Sequence, residues 1–169
     1  MTAQFECMHG MRPIGVLGAV AVLAVVAGGV PAGARSDGGT CQSDVGRAAL
    51  PVWARGGFSS PQPRIPHAVG RAGQIAAIVF GYPLRSPPAQ GRNNKIYWVS
   101  RTWPKKPAPL WIRAQRMDGA RAIGAPVRHI VPGGPGPSNV DLPEAGCWRF
   151  TLTWSGRKDS LDLAYGVGN

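Results

Sequence analysis

Acidic side chains are scarce in this sequence. It contains eight Asp and Glu against nineteen Lys and Arg, which gives a formal net charge of +11 at pH 7. Beyond residue 34 the only glutamate is Glu144, and the pair Asp159 and Asp162 falls in and after a predicted turn, where we expect solvated carboxylates. Acid–base catalysis needs positioned carboxylates, histidines, lysines or cysteines. The composition therefore offers few candidates for a catalytic site.

Histidine and cysteine are also scarce, with three of each. His67 and His129 lack the short spacings that zinc ligands use. Ser138 does not lie in a G-x-S-x-G nucleophile motif. The glycines of 133–137 are not followed by the Gly-Lys-Ser/Thr of a phosphate-binding loop. The sequence therefore predicts a protein that is not an enzyme, with no catalytic residues, no cofactor and no metal.

Long helices are not expected either, because 24 glycines and 17 prolines interrupt the chain. The clearest pattern is an alternation over residues 148–154, which is typical of a strand with one buried face. Its apolar positions are Trp148, Phe150, Leu152 and Trp154, and its polar positions are Arg149, Thr151 and Thr153. A turn at 155–159 follows. Leu161, Leu163 and Tyr165 then resume the apolar face, with Asp162 outward, so the sequence predicts a hairpin.

Further strand-like segments precede this hairpin. They are 74–80, 95–101, 110–116 and 126–131, and a brief extended piece lies at 50–54. Asp118-Gly119 is a hairpin-turn signal, and residues 57–66 and 82–94 are Gly/Pro-rich loops. Seven or eight short strands with frequent turns predict an all-β fold, an antiparallel immunoglobulin-like β-sandwich. A small closed barrel is the alternative.

The N-terminal residues 1–34 have the features of a secretory signal peptide. Arg12 precedes an apolar run over 14–30, and Ala32-Gly33-Ala34 supplies the small residues of a cleavage site. We expect cleavage before Arg35, a polar leader over 35–40 and a single domain over 41–169. The alternative is an uncleaved membrane anchor at 14–30, since seventeen apolar residues can just span a bilayer. The n-region is long, so translation could also start at Met8 or Met11 rather than Met1.

Cleavage would remove Cys7 and leave Cys41 and Cys147. Two cysteines in an exported chain are expected to form a disulfide in an oxidising compartment. The alternative is two separate thiols. On the chain-entropy model a loop of this length gives about 4–5 kcal/mol as an upper value.

Basic and aromatic residues recur together in the middle of the chain. The candidate binding surface comprises Trp103, Lys105, Lys106, Trp111, Arg113 and Arg116. In the strand-like segment 110–116, Trp111 alternates with Leu110 and Ile112, so we expect its side chain to face outward together with Arg113. Such a surface suits acidic or phosphate-rich polymers. Export argues against nucleic acid and favours an anionic cell-wall polymer, lipid head groups or an envelope protein as partner. A GC-rich genome also yields many arginines without selection for binding, which leaves a purely structural role open.

Two segments resemble exported bacterial proteins of unknown function, many of which are lipoproteins. The G-P-S-x-V-x-x-P-x-x-G-C-W pattern of Gly136–Trp148 and the N-K-I-x-W-V strand from Asn94 carry the resemblance. An early cysteine, here Cys41, is a further point of similarity. The resemblance implies an exported β-sandwich and implies no chemistry. Cys41 is preceded by Gly39-Thr40, where a lipid-attachment motif has small apolar residues. The sequence therefore contains no lipid-attachment motif before Cys41.

Together these observations predict an exported, non-enzymatic β-sandwich of the cell envelope that binds an anionic envelope component. Two alternatives remain open at this point. One is a structural module with no ligand, and the other is a hydrolase or metal-binding protein whose residues the sequence does not bring together.

Overall fold

The computed structural model describes residues 45–103 and 106–168, and these are mostly β-structure. The predicted signal peptide, the polar leader, Cys41 and Lys105 lie outside the described residues. One 3-10 turn, Val52–Ala54, precedes the strands, where the sequence had predicted an extended piece. The strands are β1 (His67–Val69), β2 (Ile75–Val79), β3 (Arg85–Ser86), β4 (Lys95–Ser100), β5 (Leu110–Asp118), β6 (Arg121–Val131), β7 (Pro137–Asn139), β8 (Gly146–Trp154) and β9 (Arg157–Val167).

The strands form two sheets that share one core. The first sheet has the order β1-β2-β4-β7 and the second the order β3-β9-β8-β5-β6. The β3–β9 contact is parallel, and the other pairs are antiparallel. The strand order can be compared with that of an immunoglobulin domain. In the first sheet, β2, β4 and β7 correspond to strands A, B and E. In the second sheet, β5, β8 and β9 correspond to strands C, F and G. The predicted all-β sandwich is confirmed, and the closed-barrel alternative is wrong because the two sheets remain separate.

The β8–β9 hairpin supplies many of the large side chains of the core. Its register runs from Gly146 opposite Tyr165 to Trp154 opposite Arg157. The predicted buried face is confirmed, because none of its side chains is more than 2% exposed; they are Trp148, Phe150, Leu152, Trp154, Leu161, Leu163 and Tyr165. Trp98 of β4 packs on Phe150 with ring centroids 5.9 Å apart, which joins the two sheets. Burial of each such side chain contributes about 1.5–3 kcal/mol.

The first sheet is covered on both faces, which explains why β2 is an unbroken apolar run. Its Ile75, Ala77 and Val79 belong to the core between the sheets. Ala76 and Ile78 point the other way, into a smaller cluster with Leu50 and Ala54. The chain segment preceding β1 therefore lies over the outer face of the first sheet. A strand that is buried on both faces has no polar alternation to display.

The expectation that Asp159 and Asp162 are solvated is wrong, because both side chains are buried. The Asp159 carboxylate accepts hydrogen bonds from three backbone N–H groups, those of Ala72 and Gln74 at 2.8 Å and of Ser160 at 2.7 Å. It therefore fastens the β1–β2 loop to the start of β9. A Cβ at Gly70 would overlap this carboxylate, so the loop needs glycine there.

The short strand β3 lies inside the segment that the sequence predicts as a loop. The buried side chain of Asn94 accepts a hydrogen bond from the N–H of Arg85 at 2.9 Å and donates one to its carbonyl at 2.8 Å. The amide group thus replaces a neighbouring strand along this edge. Two residues are too few to give a sequence pattern, so β3 could be found only from these contacts.

Candidate functional site

The outer face of the second sheet presents its side chains in rows that the strand registers define. The first row, read from β6 to β9, is Ile130, Trp111, Thr153 and Lys158. The second row is Arg128, Arg113, Thr151 and Ser160. Alternate residues of a strand project from the same face, so all eight side chains lie on one surface. Their inward-facing neighbours, such as Ile112 and Leu152, are buried in the core.

A depression of about 260 Å³ lies in this surface. It exists because β8 contributes two short side chains, Thr151 and Thr153, while longer side chains stand on both sides. Trp111 and Arg113 of β5 form one wall, and Lys158 of β9 stands on the other side. Adjacent strands are about 4.8 Å apart, so the backbones of β5 and β9 are separated by about 10 Å. We call this depression the Trp111 trough, defined by Trp111, Arg113, Arg128, Thr151, Thr153 and Lys158.

The indole of Trp111 is the main apolar part of the trough. The residue is 55% exposed, and Ile130, directly opposite on β6, is 43% exposed. A tryptophan in this position offers a flat apolar ring together with one N–H donor. This confirms the expectation that Trp111 faces outward, on the other side of the strand from its neighbours Leu110 and Ile112, which are both buried.

Three cations surround the trough. Arg113 and Arg128 lie directly opposite each other across the β5–β6 pair, and Lys158 is exposed on β9. Arg113 donates one hydrogen bond, from Nη2 to Oε1 of Gln115, at 3.1 Å. Within the described residues none of the three forms a salt bridge, and no carboxylate lines the depression. The trough is therefore a region of uncompensated positive charge.

An ion-pair cluster occupies the next row of the face, beyond Arg113 and Thr151. The Asp162 carboxylate accepts hydrogen bonds from Arg149 Nε at 3.0 Å and from Arg71 Nη2 at 2.7 Å. Burial alone would raise the pKa of Asp162, but the hydrogen bonds and charges of Arg149 and Arg71 outweigh it and hold this pKa below its usual value. The carboxylate is thus ionised and already neutralised by two arginines. It does not oppose an anion in the trough.

The predicted binding surface is only partly brought together. Trp111 and Arg113 share the trough, whereas Arg116 has the opposite parity on β5 and forms an ion pair with Glu144. Trp103 is 78% exposed and Lys106 is exposed, but neither lines the trough. Arg116 therefore lies away from the other candidates, on the side of the strand that faces Trp148.

Four trough residues were missed as site residues in the sequence, namely Arg128, Thr151, Thr153 and Lys158. The outward parity of Thr151 and Thr153 was predicted correctly. Their position beside Trp111 was not, because it depends on the β5–β8 register, in which Trp111 lies opposite Thr153. Pairing of the Asp118-Gly119 hairpin could have placed Arg128 opposite Arg113. The β6 strand, however, contains an irregularity between Ile123 and Val127. Counting residue pairs outward from the turn therefore does not place Arg128 opposite Arg113.

Other depressions on the described surface differ from the trough. One of about 330 Å³ lies between β6 and the turn before β8, lined by Val127, Trp148 and the Arg116–Glu144 pair among others. Another, of about 290 Å³, lies beside Phe80 and Lys95. Lys95 Nζ stands 5.9 Å from the centre of the Phe80 ring, so this cation already has an aromatic partner. Neither depression combines several unpaired cations with an exposed indole.

Over residues 45–103 and 106–168, no group of three His, Cys, Asp or Glu side chains is placed to hold a metal ion. No helix in the same residues is long and apolar enough to cross a membrane. Comparison with known proteins gives no family model, no curated protein and no solved structure that matches this chain. The resemblance to exported bacterial proteins therefore stays a prediction.

Proposed function

We propose that this protein is a non-catalytic binding module of the bacterial cell envelope, and that it holds an anionic envelope polymer in the Trp111 trough. The observation that carries the proposal is the arrangement of Arg113, Arg128 and Lys158 around an exposed indole, with no lining carboxylate. A surface of this kind attracts polyanions through its field and adds apolar contact through the ring.

The distribution of acidic groups supports the same function. Asp118 and Glu144 are exposed, but each is paired with an arginine, Arg121 and Arg116 respectively. Trp111 is the second residue of β5 and Asp118 is the last. At about 3.3 Å per residue, the two residues are therefore separated by about 23 Å along the strand. That distance exceeds the screening length of about 8 Å at physiological salt. The positive field of the trough is therefore not cancelled by Asp118.

A salt titration of binding to purified bacterial cell wall tests the proposal. Each ion pair with a polyanion adds to the steepness with which affinity falls as salt rises. Arg128→Ala should weaken binding at low salt and reduce the slope of log affinity against log salt by about one. Arg64→Ala is the matched control, because Arg64 is also exposed but lies in the segment that covers the first sheet.

Equal losses in the two variants would show that only net charge matters, and would refute a site at the trough. Absence of wall binding by the wild-type protein even at low salt would favour the structural module without a ligand.

Export and the disulfide form part of the same proposal. A protein of the envelope should be recovered with an N-terminus at Arg35, and peptide mapping without reductant should recover Cys41 linked to Cys147. An intact leader in washed membranes would instead indicate an anchor. Two alkylatable thiols in the native protein would rule out the disulfide.

A further inference from the structure

We infer that the ligand of the Trp111 trough is an acidic glycan, a chain of pyranose rings that carry carboxylate or phosphate groups. This inference rests on the function proposed above and narrows it to one chemical class. Three features of the trough lead to it: the spacing of the indole from the nearest guanidinium, the hydroxyl groups of the floor, and the concave shape.

The spacing follows from the strand. Trp111 and Arg113 are two residues apart on the same face of β5, so their Cα atoms are separated by about 6.7 Å. A flat ring stacked on the indole would therefore place a substituent at its edge within reach of the Arg113 guanidinium. Arg128, opposite Arg113, can take the second oxygen of the same anion or the anion of the next ring.

The floor of the trough is suited to hydroxyl groups. The side chains of Thr151 and Thr153 each carry one donor and two acceptor positions. Neither hydroxyl is hydrogen-bonded to another group within the described residues, so both are available to a ligand. A polyol can use donors and acceptors together, whereas a bare polyphosphate chain accepts hydrogen bonds only.

The shape disfavours a flat partner. Short threonines lie between Trp111 and Arg113 on one side and Lys158 on the other, which makes the surface concave. A bilayer surface is planar and would contact only the tips of the long side chains. A single polymer chain can enter the trough and touch its floor. Lipid head groups therefore use less of the trough than a glycan chain does.

Isothermal titration of the full chain with three defined probes tests this inference. The probes are tetragalacturonic acid, maltotetraose as a neutral glycan, and inorganic tetraphosphate as an anion without rings. We expect tetragalacturonic acid to bind most tightly. Trp111→Ala should weaken its binding about fivefold or more, because lost aromatic contact has this magnitude. Trp111→Phe should retain most of the affinity, and tetraphosphate binding should be insensitive to both changes.

The outcomes separate the inference from the proposed function. If tetraphosphate binds as tightly as tetragalacturonic acid and neither depends on Trp111, the glycan inference is wrong while binding of polyanions stands. If maltotetraose binds as tightly as tetragalacturonic acid, the acidic group is unnecessary and the inference is again wrong. If no anionic probe binds, or if Arg128→Ala changes the binding of none of them, the proposed function fails as well.

Discussion

Arg113 and Arg128 lie directly opposite each other on the outer face of the β5–β6 pair, and within the described residues neither forms a salt bridge. Like charges at directly opposed positions of an antiparallel pair destabilise a sheet. Three cations without a lining carboxylate around one exposed indole make the trough locally unfavourable in the free protein. An anionic ligand would relieve that repulsion.

The first prediction concerns the stability cost of this pair. Arg128→Thr should either leave the free energy of unfolding unchanged or raise it by about 0.2–1 kcal/mol. The reason is that it removes the repulsion with Arg113 and introduces a residue that favours strands. Urea denaturation at low and high salt measures the effect. The gain should shrink at high salt, because salt screens exposed charges. A loss of more than about 1 kcal/mol would mean that Arg128 stabilises the fold and that its repulsion with Arg113 is not the dominant effect.

The second prediction contrasts two tryptophans. Trp148→Ala should cost about 3–5 kcal/mol, because the side chain is buried in the core and its Nε1 donates to the carbonyl of Glu144 at 3.0 Å. Trp111→Ala should cost far less, since the ring is more than half exposed. Thermal melts of both variants compare them. A Trp111 variant that melts well below the Trp148 variant would contradict the assignment of the two faces.

The third prediction concerns the β1–β2 loop. Asp159→Ala removes the acceptor of three backbone N–H groups, and hydrogen bonds to a charged group contribute about 1.5–3 kcal/mol each. It should therefore be among the most destabilising changes in the chain. Gly70→Ala should also destabilise, because its Cβ would overlap the same carboxylate.

A double-mutant cycle supplies the control for this loop. Gly70→Ala should cost less in the Asp159→Ala background than in the wild-type protein, because the overlap disappears. Additive effects would show that the two residues do not act on each other.

The fourth prediction is a pH dependence that comes from Asp162. Its pKa in the folded protein lies below the usual Asp value of about 3.9, because Arg149 and Arg71 overcome the effect of burial. The unfolded chain therefore takes up the proton first as pH falls. The contribution of this carboxylate to stability is present above about pH 3.9 and is lost as pH falls through the folded-state pKa.

NMR titration of the Asp162 side-chain carboxyl measures this directly. Its midpoint should lie below 3.9, the usual Asp value. A midpoint above that value would mean that burial dominates and that the arginines do not neutralise the carboxylate. Asp162→Asn should also flatten the acid limb of the stability curve.

The sequence predicted the features that depend on local alternation. The parity of Trp148 and Phe150 identified the buried face of the hairpin, and the parity of Trp111 identified an outward indole. Both rest on a period of two within one strand, which a single strand's sequence displays.

Features that depend on contacts between distant residues could not be predicted in this way. Asp159 reads as a turn carboxylate until the β1–β2 loop, more than eighty residues earlier in the chain, is placed beside it. The trough likewise exists only because Thr153 lies opposite Trp111 on a strand separated from it by some forty residues. Arg116 was grouped with Arg113 by proximity in the chain, although odd and even positions of a strand face opposite sides.

Binding of an acidic glycan in the Trp111 trough can be tested by locating the bound ligand on the protein. Amide and indole N–H spectra of isotope-labelled protein, recorded during titration with tetragalacturonic acid, report which residues it touches. We expect shifts at the indole of Trp111, at Thr151 and Thr153, and at Lys158, with little change at Arg64 or Arg121. Shifts confined to the depression beside Trp148, or to the one beside Phe80, would show that the glycan does not bind in the trough, and the absence of shifts anywhere would show that it does not bind at all.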